Sequence, residues 1–249
     1  MSYQFFVDEY QIINNHVSIQ GDDYSHIRNV LRMKPGEEVS VIVPGKEAEY
    51  RCMIREFTED SVELELLFVK EEGVELPNKV FLFQALPKQD KMELIIQKAV
   101  ELGVYEVIPV ATKRAVVKLD GAKEAKKIAR WNAISEAAAK QSKRRIIPEI
   151  THVMNMDEAL PYADRCGVKV IPYELCDNNT MSETRVLLSQ IGADDSIAVF
   201  IGPEGGFAEE EIEKAESMGV KPITLGRRIL RTETAGFVVL SWLNYLLEK

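Results

Sequence analysis

The strongest constraint on this fold is a change of rhythm near residue 73. From Glu38 to Val69, short apolar runs alternate with turn residues: VSVIV, then PGK, YRCMI, TED and VELELLFV. Runs of that length, separated by Pro, Gly and Asp, predict antiparallel strands of a small sheet or barrel, preceded by a short helix around Ser25–Met33. The charged segment KEEGVELPNK, with Gly73 and Pro77, breaks the pattern and places a domain boundary within residues 70–77. The expected domains are therefore 1–72 and 73–249.

Beyond the boundary, strands and helices alternate. VFLFQAL, YEVIPV, VKVIPYEL, SIAVFI and PITL form the strand series. Helices are predicted around Met92–Leu102, Lys123–Gln141, Thr184–Ile191, Glu209–Met218 and Thr234–Leu247. Alternation at this spacing predicts an α/β domain with a mostly parallel sheet flanked by helices. The last helix, AGFVVLSWLNYLL, is apolar almost all the way round, so it needs burial on more than one face. Either it is central to its domain or it packs against a second subunit.

The 249 residues carry a net charge of −9, which taken whole argues against a polyanion partner. Its distribution reopens the question. Residues 1–72 hold seven basic and fifteen acidic side chains, residues 73–150 fifteen and nine, and residues 151–249 nine and sixteen. Lys113, Arg114, Lys118, Lys123, Lys126, Lys127, Arg130, Lys140, Lys143, Arg144 and Arg145 concentrate the positive charge. Such a cluster suits phosphate contacts. A solvated helix face accounts equally well for Lys123, Lys126, Lys127 and Arg130.

The remaining composition excludes more than it assigns. Cys52, Cys166 and Cys176 have no CxxC spacing, so neither a disulfide framework nor a zinc site is implied. No apolar run approaches the roughly 18 residues of a membrane helix, and a cytoplasmic protein without a membrane partner is expected. His16, His26 and His152 are scattered, with no visible hydrolase triad and no metal-ligand set.

In open parallel sheets, ligands bind beyond the carboxyl ends of strands. Three loops there stand out: Tyr173-Glu174-Leu175, IGPEGGF over 201–207, and LGRRILRTETA over 225–235. The glycine loop looks like a phosphate cradle, but it lacks Gly-Lys-Ser/Thr and is followed by Glu209, Glu210 and Glu211, which would repel phosphate. A neutral or cationic ligand suits it better; a tight strand-to-helix turn with capping acids is the plain alternative. The first strand ends in LPKQDK, which disfavours a dinucleotide site. In LGRRILRTETA, Arg231 and Glu233 offer an ion pair facing a ligand, while Thr232 or Thr234 offers a helix cap.

These loops, together with LPKQDKMELIIQKAVELGV, RAVVKL, RW, EAAAKQSKRRIIP and HIRNVLRMKPGEEV, resemble the bacterial small-subunit ribosomal RNA uridine-N3 methyltransferases of the SPOUT superfamily. Several long motifs in order cover nearly the whole chain. The resemblance implies an N-terminal PUA-like β-barrel for RNA and a C-terminal SPOUT domain closed by a trefoil knot. It also implies a homodimer that binds S-adenosyl-L-methionine in the knot. The expected substrate is 16S rRNA in the small ribosomal subunit, methylated at N3 of the uridine usually numbered 1498.

Carried over by position, the cofactor pocket comprises Glu174, Leu175, Ile201, Gly202, Glu204, Gly205, Gly206, Leu225, Ile229, Leu230, Arg231, Thr234 and Ala235. RNA contact is expected from Arg28, Arg32, Arg114, Gln141, Arg144 and Arg145. Methylating N3 requires loss of its proton. Arg231 is the expected stabiliser of the uridine oxygen, and Glu233, or a water it holds, the proton acceptor, with Glu204 as the alternative. Three positions depart from the family pattern. Gln4 stands where arginine is common, Gln89 where glycine is usual in LPKGDK, and Gly236 where proline often follows ETA. A ribose 2′-O-methyltransferase of the same superfamily and a non-catalytic RNA-binding assembly factor are the rival readings.

Overall fold

A computed structural model describes residues 3–46, 48–71, 73–117, 119, 121–173 and 180–248. By packing, the chain forms two units, Met1–Glu75 with Ala139–Ile147, and Leu76–Ala138 with Pro148–Lys249.

The first unit contains strands β1 (Tyr3–Phe6), β2 (Ile12–Ile13), β3 (His16–Gln20), β4 (Glu38–Ile42), β5 (Glu49–Phe57) and β6 (Ser61–Lys70). They make one sheet in the order β1-β4-β5-β6-β3-β2, antiparallel except for the parallel pair β1–β4. Period-two alternation sends Phe5, Val17, Ile19, Val39, Val41, Cys52, Ile54, Val62 and Leu64 into one shared core, so the sheet curls around a single apolar centre. The expected helix at 25–33 begins earlier, as α1 (Gly21–Ser25), and continues through His26–Val30 as a π-helical turn. Arg32 closes that segment at φ +53°.

The second unit begins with β7 (Val80–Ala85), every residue of which is buried. Then follow α2 (Lys91–Glu101), β8 (Glu106–Ala111), α3 (Gly121–Gln141), β9 (Glu149–Ile150), β10 (Met154–Asn155), α4 (Met156–Tyr162), β11 (Val168–Pro172), α5 (Met181–Ser189), β12 (Ile197–Ile201), α6 (Glu209–Ser217), β13 (Lys221–Ile223) and α7 (Thr232–Leu247). The sheet order is β10-β8-β7-β12-β11-β13, with β9 also on β8, and every recorded pair is parallel. Helices cover both faces of such a sheet, which is why β7 and β12 are continuous apolar runs. Phe83 and Phe200, on neighbouring strands, stack with centroids 4.3 Å apart at the middle.

The final helix is buried along one stripe, Thr232, Gly236, Val239, Leu240, Leu243 and Leu247. Tyr245 and Leu246 remain exposed, so the single chain does not enclose it all round.

Candidate active site

The chain runs from β7 to β8 on one side and returns later to place β12 on the other, with Val199 opposite Leu82. Strand order thus reverses at β7–β12, the place where open parallel sheets bind ligands beyond the carboxyl ends. Four connections gather there, at 86–90, 112–120, 202–208 and 224–231; Lys118 and Asp120 of the second lie outside the described residues.

The glycine loop is held from several sides. Arg114 donates from Nη1 to the Gly205 carbonyl at 3.1 Å. A Cβ added at Gly202 would lie 3.1 Å from the Phe207 ring and 3.4 Å from Gly206 Cα, so a side chain there would have to push the ring aside by a few tenths of an ångström. Gly206 has φ +67°, with open space where its side chain would be. Among the three acids that follow, Glu211 is buried and caps backbone, accepting from Lys113 N and Ala208 N at 2.8 Å each. Glu209 and Glu210 are exposed, and Glu210 pairs with Lys113. The capping reading therefore holds for Glu211.

Thr232 joins this loop to the start of α7. Its hydroxyl donates to the Gly202 carbonyl at 2.6 Å and accepts from Gln84 Nε2 at 2.9 Å. Arg231 occupies the N-cap position and makes no side-chain cap, so neither threonine caps the helix. Gln84, fully buried on β7, keeps its Oε1 without a hydrogen-bond partner.

Two of the expected catalytic acids meet on one lysine. Lys91, the first residue of α2, places Nζ 3.3 Å from Glu204 Oε1 and 3.3 Å from Glu233 Oε2. Glu204 also accepts from Lys88 N at 3.1 Å. Burial pushes the Glu204 carboxyl up, but hydrogen bonds from its own backbone, from Lys88 and from Lys91 outweigh that, and the net shift is downward. Glu204 is thereby held ionised. Glu233 Oε2 is buried and makes no hydrogen bond, leaving the ion pair with Lys91 as its polar contact among the described residues.

The other expected cofactor residues line the same carboxyl ends. Ile201 is buried at the end of β12; Leu225, Leu230, Thr234 and Ala235 are half-buried; Arg231 is exposed, and so is Ile229, at 84%. Glu174 and Leu175 lie outside the described residues. Lys91, Gln84 and Thr232 carry no compositional signal beyond their place in the quoted motifs; only the fold brings them to the site.

The expected RNA-contact residues divide. Arg28, Arg32 and Gln141 are exposed. Arg28 leans over the Tyr24 ring and donates to the Thr58 carbonyl at 3.1 Å. Arg144 and Arg145 require correction: they are 4% and 2% exposed. The Arg144 guanidinium grips Glu75 Oε2 at 2.8 and 2.5 Å, and Arg145 donates from its backbone to Glu75 Oε1 and from its side chain to the Glu71 and Lys70 carbonyls. Groups buried and engaged in this way build the first unit and present nothing to a phosphate. Gln4 is likewise buried and donates to the Arg144 carbonyl at 2.7 Å, so its position is internal. Gln89 adopts φ +60°, a left-handed conformation that glycine takes without cost, which accounts for glycine being usual there.

No helix among the described residues is long and apolar enough to cross a membrane, and no group of three metal-ligating side chains is present among them.

Comparison with known proteins extends these findings. Residues 74–244 match the model of an RNA methyltransferase domain, and residues 19–67 that of an RNA methyltransferase PUA domain. The chain is 36% identical over 232 residues, 93% of its length and 90% of the relative's, to ribosomal RNA small subunit methyltransferase E of Bacillus subtilis. It is 35% identical to the protein of the same name from Mesomycoplasma hyopneumoniae, covering 96% of this chain and 97% of that one. Among solved structures, a putative methyltransferase from Legionella pneumophila in complex with SAM superposes with a TM-score of 0.85 at 31% identity, covering 98% of each chain. Ribosomal RNA small subunit methyltransferase E from Neisseria gonorrhoeae, bound to S-adenosyl methionine, gives 0.84 at 28% identity over 99% of this chain and 98% of that one.

Proposed function

The chain belongs to the ribosomal RNA small subunit methyltransferase E family, and from that premise we propose that it methylates N3 of one uridine of 16S rRNA with S-adenosylmethionine as methyl donor. The observation that carries this reading is the meeting of Glu204 and Glu233 on Lys91 beside the glycine loop, at the carboxyl ends of β7 and β12. An acid-rich corner with open glycine backbone suits a sulfonium cation, which carboxylates attract, and not a phosphate, which they repel.

The cofactor would be held by Ile201, Gly202, Gly205, Gly206, Leu225, Ile229, Leu230, Arg231, Thr234 and Ala235, with Glu174 and Leu175 completing the expected set. When bound, it supplies a methyl group on a positively charged sulfur, which leaves as a neutral thioether. Uridine N3 gains a usable lone pair only when it loses its proton. Glu233, or a water it holds, takes that proton, its buried Oε2 being free of hydrogen bonds from other groups, with Glu204 as the alternative acid. Arg231, exposed at the N-cap of α7, donates to the uridine oxygen as negative charge develops there.

Phosphate contact falls to Arg28, Arg32, Arg114 and Gln141; Lys126 and Lys143 are also exposed. We assign the protein to the cytoplasm as a homodimer, whose interface would cover the exposed Tyr245 and Leu246 of α7. The test is to incubate the protein and labelled cofactor with small subunits lacking the modification, and with naked rRNA, then map the methylated atom. Label at uridine N3 is expected; label on a ribose 2′ oxygen, or none in either substrate, would overturn the proposal.

A further inference from the structure

Lys91 stands between acids from two separate segments. Its Nζ is 3.3 Å from Glu204, 113 residues away in sequence on the loop after β12, and 3.3 Å from Glu233 in the first turn of α7. All three side chains are largely covered, 23%, 27% and 16% exposed respectively. Asp90, the neighbouring acid, turns instead to Lys127 at 3.3 Å. One ammonium therefore separates two carboxylates that would otherwise repel each other. Its charge is taken up by both, so it is not a phosphate-binding cation.

We propose that Lys91 is a positioning residue of the transfer site: through Glu204 it fixes the glycine loop, and through Glu233 it fixes the side chain that accepts the uridine proton. The proposal rests on the methyl-transfer reading above. The lysine touches neither substrate nor cofactor in this role; it sets the distance between the loop and the helix that do. A site whose reacting groups drift by about an ångström loses on the order of a hundredfold in rate, so the clamp matters more to turnover than to binding.

The test compares Lys91→Met and Lys91→Arg with wild type by kcat, by cofactor KM, and by calorimetric cofactor affinity. The kcat of Lys91→Met is expected to fall by about tenfold or more with a smaller change in affinity. The acid limb of its pH–rate profile should move to higher pH, because a carboxylate deprived of its neighbouring cation holds its proton more tightly. Lys91→Arg should recover most of the rate. In the cofactor-free chain, carbon-13 NMR of the Glu204 carboxyl should show it titrating higher in Lys91→Met. Should that variant unfold, Lys91→Gln carries the same expectations.

An unchanged kcat and pH limb, a loss confined to cofactor affinity, or a folded Lys91→Arg as inactive as Lys91→Met would overturn the proposal. So would a Glu204 titration that does not move. Failure of the wild type to label uridine N3 would instead overturn the functional reading, and the titration of the cofactor-free chain would still decide whether the clamp exists.

Discussion

Replacing Thr232 by Val tests whether the glycine loop is latched to α7 as the structure places it. Valine keeps the side-chain volume and deletes one hydroxyl, which both donates to the Gly202 carbonyl at 2.6 Å and accepts from Gln84 Nε2 at 2.9 Å. Gln84 is fully buried, so no water replaces its lost acceptor, and its Oε1 is already unpartnered. Its other recorded bond, to the Ala85 carbonyl at 3.0 Å, satisfies only one of the two amide hydrogens. Leaving one buried N–H and one half-buried carbonyl unpaired costs about 2–4 kcal/mol. In a chain of this size that lowers the melting temperature by roughly 5–15 °C. Differential scanning calorimetry measures it directly. Thr232→Ser, which keeps the hydroxyl, should recover most of the loss, and cofactor affinity should weaken in the Val variant alone. A Thr232→Val protein melting within a degree of wild type would refute the latch.

Four further outcomes follow from the same geometry. Arg144→Ala should destabilise the chain by about 3 kcal/mol in urea titrations, because Glu75 Oε2 loses both hydrogen bonds it accepts from a guanidinium, at a site where Arg144 is 4% exposed. Glu204 titrates below the ordinary 4.5, so its contribution to stability is present above the unfolded carboxylate's range and is lost as pH falls through its folded value; Glu204→Gln should flatten the acid limb of the stability curve. Burial pushes the Cys52 thiol up to about 12 and the Cys166 thiol to about 11, so at pH 8 a disulfide reagent should modify neither until denaturant is added. Gln89→Gly should raise stability by up to about 0.5 kcal/mol, since it removes a non-glycine residue from φ +60°.

Legibility in the sequence followed burial. β7 and β12 are buried on both faces, so they stand out as apolar runs, and the helices between strands carry the longer period. β1 has only four residues and includes the buried polar Gln4; β9 and β10 have two residues each; and α4 carries Pro161 within seven residues. None of these offers a periodic window long enough to register. The candidate loops are visible because glycine, arginine and acid stand together directly after apolar strands. Lys91 and Gln84 were not, since each acts through partners far along the chain. The parallel pairing of β1 with β4 follows from the same limit: local pattern fixes a strand, while the direction of its neighbour depends on the path between them.

The basic middle of the chain shows most clearly why charge counted along a sequence is not charge available to a partner. Lys113 pairs with Glu210, Lys127 with Asp90, Arg130 with Glu93 and Lys140 with Asp23, while Arg144 holds Glu75. These pairs are not equivalent. Arg130 is 63% exposed at its side chain, and an exposed pair is worth at most about 1 kcal/mol, less than a phosphate backbone returns when it displaces the acid. The Arg144 side chain is 5% exposed, and drawing it to a phosphate would unmake the first unit around Glu75. Exposed cations on α3 can therefore change partners on meeting RNA, whereas Arg144 and Arg145 cannot. The positive charge left available to a partner is therefore narrower than the run of lysines and arginines, because Arg144 and Arg145 are engaged inside the first unit.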